Sequence, residues 1–316
     1  MNEPIPLPAA AALPPVDEQA VRRLPTIFRL QSIARLPFDD RHVLNRAVLF
    51  HEQAMLPVEW ISARVDARLV AGALVSIRWL GRPVAVNGAV RIARLVALVR
   101  PDAGLNPFDT VPVAWVSDRA LVKRAGMLWA RLPPAFAHLF NAIFWRTDRF
   151  HRYLTGPSAL DGPHATRFGT LRRCIEVAER ALALAGSDPR VHRGVLILAA
   201  LLHDAGKADA YRLGHQQLEL SDRGRLIGHQ FTVFEWIAIA CVLHQVKLPD
   251  IHYLALVHAL TCAWGDPAGL GLHEPQRIEA AILGAASRRS GPGHHGSGRD
   301  HPRHPNARSR MLTPVT

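Results

Sequence analysis

The sequence predicts an α+β chain in which a small β-barrel is followed by an all-α helical bundle. Three observations carry that expectation. Residues 58–117 contain short runs of strand-forming residues separated by tight-turn signals. From residue 119 onward the apolar residues recur at helical spacing. The apolar run Val195–Leu202 then ends abruptly in His203, Asp204, Ala205, Gly206 and Lys207. A run this long and this rich in Ala and Leu reads as a buried helix, and Gly206 stops it.

Residues 1–20 are rich in Pro and Ala and lack periodicity, so they read as a flexible lead. Residues 21–57 hold apolar patches, Leu24–Leu30 and Val43–Phe50, expected to form short helices or an irregular packing layer. The barrel is expected over 58–117. Leu74–Trp79 is rich in strand formers, Gly81-Arg82-Pro83 and Asn87-Gly88 supply turns, and Val90–Leu95 alternates. Residues 119–158 read as a helical connector broken at Pro133-Pro134. Over 160–287, helices are expected at roughly 168–186, 190–204, 226–244, 250–264 and 275–287. Residues 288–316, rich in Arg, His, Gly and Pro, lack the apolar residues for a core and read as a disordered basic tail.

The chain of 316 residues is 49% hydrophobic, enough to bury a sizeable core. No apolar run is long enough to cross a bilayer, and no basic region with a following apolar stretch marks the N-terminus as a signal. Cys174, Cys241 and Cys262 lack metal-ligand spacing and read as buried thiols of a cytoplasmic protein. A net charge of +12 favours a polyanionic partner, nucleic acid first.

The stretch ending at Lys207 brings an imidazole, a carboxylate and an ammonium together at a helix terminus. Imidazole and carboxylate suit a divalent cation, and a lysine beside them shares the charge of a bound phosphate. Taken alone, the same residues also describe a helix that ends in polar side chains, with Lys favouring the negative end of the dipole.

Further motifs stand in a fixed order around this one. They are His164-Ala165 with Gly169, Leu201-Leu202-His203-Asp204-Ala205-Gly206-Lys207, Ser221 to Gly228-His229, and Val257-His258 followed by Trp264-Gly265-Asp266-Pro267. In that order the chain resembles the HD-domain phosphohydrolase superfamily, and most closely the YhaM-type exoribonucleases, which join an OB-fold to an HD domain. The resemblance implies an OB-like barrel, an HD-domain bundle and 3′–5′ exonuclease-like action on nucleic acid. It further implies a divalent metal, Mn²⁺ or Mg²⁺, held by His203, Asp204, His229 and His258, with Asp204 and Lys207 as the catalytic pair. OB-folds bind single strands through basic grooves and stacking aromatics; Arg78, Trp79, Arg82, Arg91 and Arg94 are available for this, with Trp79 alternatively a core aromatic.

Two positions depart from the family pattern. Arg173 stands where the first metal histidine belongs, and Gly284 stands near the place of the late aspartate. A guanidinium there would replace a metal ion with a permanent cation. The sequence therefore carries three functional readings: a metal-dependent phosphohydrolase of nucleic acid, a catalytically silent nucleic-acid-binding or regulatory module, and a relaxase-related component of conjugative transfer.

Overall fold

A computed structural model describes residues 24–81, 85, 86, 88–162, 164–213, 218–262 and 274–288. The proposed lead, Arg82, the Trp264–Pro267 motif and all of the basic tail beyond Arg288 lie outside the described residues.

The chain begins as a barrel. Strands β1 (Ile27–Pro37), β2 (Val43–His51) and β3 (Ala54–Ser62) form an antiparallel meander. β4 (Leu74–Trp79) returns beside β1, and β6 (Ala89–Ala97) pairs with β4. β6 then closes the sheet by a parallel pairing with β3, Val58 opposite Val90 and Glu59 opposite Arg91. This closed order, β3-β2-β1-β4-β6, is OB-like. β5 (Ala85–Val86) is a short extension hairpinned to β6, with Val86 opposite Ala89 and Gly88 at φ 79° in the connection between them. Phe28, Leu30, Leu49, Val58, Trp60, Val75, Val90, Ile92 and Leu95 fill the interior, and Leu69 from the β3–β4 connection plugs it.

The expected boundaries therefore need correction. The barrel runs from 27 to 97, not 58 to 117, and residues 21–57 supply β1, β2 and the start of β3 instead of a helical layer. The apolar patches in that segment are strand cores. Phe28, Arg29 and Leu30 are all buried, so the start of β1 is covered on both faces and shows no alternation.

A 3₁₀ turn, Pro107–Thr110, leads into the helices: α1 (Arg119–Trp129), α2 (Pro134–Ile143), α3 (Thr147–Thr155), α4 (Gly169–Ala185) and α5 (Arg193–Leu202). The short α6 (Lys207–Ala210) precedes a small hairpin, β7 (Tyr211–Leu213) with β8 (Leu218–Leu220), which sequence patterning did not suggest. α7 (Asp222–Leu226), α8 (Gly228–Leu243), α9 (Asp250–Cys262) and α10 (Ile278–Arg288) follow. α5 is buried all round, with α4, α9 and α10 packed on it. The 119–158 segment is no mere connector: Phe136, Phe140 and Tyr153 share one continuous core with Leu171, Leu198 and Leu256.

Arg29 ties the two halves. It is 3% exposed, and its guanidinium lies against the rings of Trp115 and Phe150. It donates to Thr110 O (3.1 Å) and Oγ1 (3.0 and 3.2 Å) and to Gly72 O (2.8 Å). Its partners are thus carbonyl and hydroxyl oxygens, and burial pushes the guanidinium pKa down to about 9.

Candidate functional site

His203 caps the C-terminal end of α5, and Asp204 follows in the turn before α6. Close backbone contact holds that turn in place. A Cβ on Gly206 would lie 2.0 Å from His229 O, so only glycine lets the turn dock on the first residues of α8. Gly169 plays the same part at the start of α4, where a Cβ would lie 2.1 Å from His164 O. The first contact seats the Asp204 turn on α8, and the second folds the loop that carries Ser158 back onto the start of α4.

Asp204 is 3% exposed. Its Oδ2 accepts hydrogen bonds from Lys207 Nζ at 2.8 Å and Ser158 Oγ at 2.8 Å. Arg173 Nε stands 3.9 Å from the same oxygen, His203 Nε2 3.8 Å from it, and His229 Nε2 3.7 Å from Oδ1. Burial alone would raise this carboxyl. The proximity of His203, Lys207 and His229, with the Lys207 hydrogen bond, reverses that and holds it well below the usual carboxylate range.

The imidazoles are pushed the other way. Burial lowers His203 and takes His229 down to about 4. The Ala200 carbonyl, 2.7 Å from His203 Nδ1, only accepts, so Nδ1 carries a proton, and the two rings attract the Asp204 carboxylate only when protonated. At neutral pH the cluster is therefore one carboxylate, two neutral rings and two cations.

Arg173 is shared with α10, where its Nη2 donates to Ser287 O at 2.9 Å and Oγ at 3.3 Å. Gly284 lies one turn earlier on that helix, buried. The guanidinium thus links Asp204 to the C-terminal turn of α10.

His258 has other partners. Its Nε2 accepts from Gln276 N–H at 3.0 Å, and Cys262 Sγ lies 3.5 Å from its Nδ1. His164 Nε2 sits 3.5 Å from Glu176 Oε2. Sequence reasoning missed Ser158, which reaches Asp204 from the loop between α3 and α4; no motif marks it.

A divalent ion here would be held by His203, Asp204 and His229, whose donor types suit it. As arranged, these residues do not fit one. Oδ2 already accepts from Ser158 and Lys207 and faces Arg173, and among the described residues no group of three or more His, Cys, Asp or Glu is set to hold a metal.

The pH dependence of stability follows from His229. Its folded pKa of about 4 lies below the free value of 6.5, so between those limits the unfolded chain binds more protons. Stability should fall as pH drops from 6.5 to 4, by at most about 3 kcal/mol from this residue. Urea midpoints measured across that range should slope less in His229→Gln than in the parent protein.

The basic residues of the barrel divide between its faces. Arg78 and Trp79 are consecutive on β4 and point opposite ways: Arg78 is exposed, while Trp79 packs against the barrel core. Trp79 is therefore not part of the basic surface. Arg91 reaches Glu59 at 3.2 Å, and Arg46 shares that carboxylate at 3.5 Å. Arg78 stands directly opposite Arg94 across β4 and β6. Arg94 also lines a groove of about 520 Å³ whose rim carries Arg35, Arg64, Arg68 and Asp66, with buried Trp60 and Asn45 at its base. Asp66 is bonded to Arg68 at 2.7 Å, which leaves the groove strongly cationic.

Among the described residues no helix is long and apolar enough to cross a membrane. No protein-family model, curated protein or solved structure matches the chain.

Proposed function

We propose that this chain binds single-stranded nucleic acid through the outer surface of its barrel. On this reading the HD-like cluster around Asp204 acts as an internal ion network, with hydrolysis the less favoured alternative. The observation that carries the proposal is the cross-strand pair Arg78–Arg94 beside the groove of Arg35, Arg64 and Arg68. Like charges directly opposite each other destabilise a sheet. A phosphate backbone laid across them removes that penalty and adds counterion release. With Trp60 only 5% exposed at the base of the groove and Trp79 packed against the barrel core, little aromatic face is open to stacking, so recognition rests on phosphate contacts and binding should discriminate little between sequences.

The Asp204 cluster supports the silent reading over the hydrolytic one. Lys207 and Arg173 supply the positive charge that a metal ion would otherwise bring to this carboxylate. A guanidinium does not lower the pKa of a water as a metal does.

The test is fluorescence anisotropy of the full chain with a labelled single strand, across a salt series. Arg78→Glu/Arg94→Glu should weaken binding at least tenfold and flatten the salt slope by about 1.4, two contacts at about 0.7 each. Affinity unchanged by the double substitution would reject the barrel surface as the binding site.

A further inference from the structure

α8 is apolar on both faces, although only one of them is covered. Thr232, Val233, Trp236, Ile237 and Ala240 are buried against the bundle. The opposite stripe runs through Phe231, Glu235, Ala238, Ile239, Val242 and Leu243, all exposed. Phe231 is 52% exposed, Val242 76% and Leu243 70%. A helix that is apolar all round belongs in an interior, and among the described residues half of that interior is missing.

We infer that the stripe is a self-association surface and that its partner is a second copy of this chain, packed about a two-fold axis near Ala238. Three features fix the partner. The stripe carries Phe231 at one end and Val242 and Leu243 at the other, with Glu235, Ala238 and Ile239 between, Ala238 being its one small residue. Two such helices crossing antiparallel set Phe231 of each copy against Val242 and Leu243 of the other, while the two alanines allow close approach at the axis.

The stripe is also electrically closed. Glu235, its one ionisable residue, is already paired with Arg223, so neither an acidic nor a basic partner finds a counter-charge there. A copy of the same neutral stripe asks for none, although the rest of the chain, at +12, would repel it. Finally, the area suffices. Leu226 (82% exposed) and Ile227 (45%) lie just before the helix and extend the apolar surface. Together these side chains offer on the order of 600 Å² per copy, or about 1,200 Å² in the pair, the lower bound of a specific stable interface.

The experiment is sedimentation velocity of the full chain from about 1 to about 100 µM, a span covering interfaces of this size. The parent protein should move from monomer to dimer mass within that range, and Val242→Glu/Leu243→Glu should stay monomeric with an unchanged melting temperature. Ala238→Cys provides a second readout should the charged variant fail to fold. Close approach at a two-fold axis should give a covalent dimer under mild oxidation, formed neither by the parent nor by a Cys placed at Glu179 on the surface of α4. A parent that stays monomeric to about 100 µM, or Ala238→Cys chains that do not cross-link, would overturn the inference.

Discussion

Asp204→Asn should destabilise the fold by about 3–5 kcal/mol, the usual cost of removing one partner from a buried ion cluster. The amide keeps the shape of the carboxylate and still accepts one hydrogen bond. It removes the negative charge facing Lys207 and Arg173, whose side chains are only 16% and 13% exposed. Two cations would then share a buried site with two imidazoles and no counter-ion. Adding Lys207→Met to Asp204→Asn should recover a large part of the loss, because the stranded ammonium goes with it. Urea denaturation of the parent, both single variants and the double variant gives the coupling directly. A stabilised Asp204→Asn would mean that the carboxylate is held at a cost, as a ligand awaiting a metal would be, and would turn the function toward hydrolysis.

Arg29→Ala should cost about as much, 3–5 kcal/mol, roughly the range for deleting a large side chain from a core. Its reasons are different. The substitution opens a void between Trp115 and Phe150 and strips donors from Thr110 O and Gly72 O. The charge itself contributes little net stability. Burial without a carboxylate drives the pKa down to about 9, so the penalty for sealing in a cation offsets much of what its hydrogen bonds return. Arg29→Met, which fills most of the space without the charge, should therefore lose less than half as much as Arg29→Ala. Equal losses in thermal and urea unfolding would show that the hydrogen bonds dominate over the packing.

The helical half was legible because its signals are local and repeated. Asp118 accepts from Leu121 N–H at the start of α1, Gly186 follows α4, and the apolar period persists over ten or more residues in α1 and α4. The front of the barrel was illegible for a definite reason. The start of β1, Phe28–Leu30, is covered on both faces, so Arg29 is as buried as its neighbours and the two-residue alternation disappears there. β2 likewise buries both Leu49 and Phe50, and no glycine marks the β2–β3 connection.

At the candidate site, residue types were readable and geometry was not. His203, Asp204 and Lys207 adjoin in sequence, but Ser158 reaches Asp204 from 46 positions away. The parting of Trp79 from Arg78 depends on which face of β4 looks inward, and that is set by pairing with distant β1 and β6.

Closing the barrel through β3 and β6 has a consequence for recognition by other macromolecules. Each of β1, β2, β3, β4 and β6 is hydrogen-bonded to a neighbour on both sides along part of its length, so among the described residues none of these strands presents a wholly unpaired edge to an incoming extended peptide. Strand addition, which reads a partner through its backbone and tolerates many sequences, therefore finds only short stretches of edge on the barrel. Recognition then falls mainly to side chains projecting from the outer wall, where specificity can change one outward residue at a time without disturbing the scaffold.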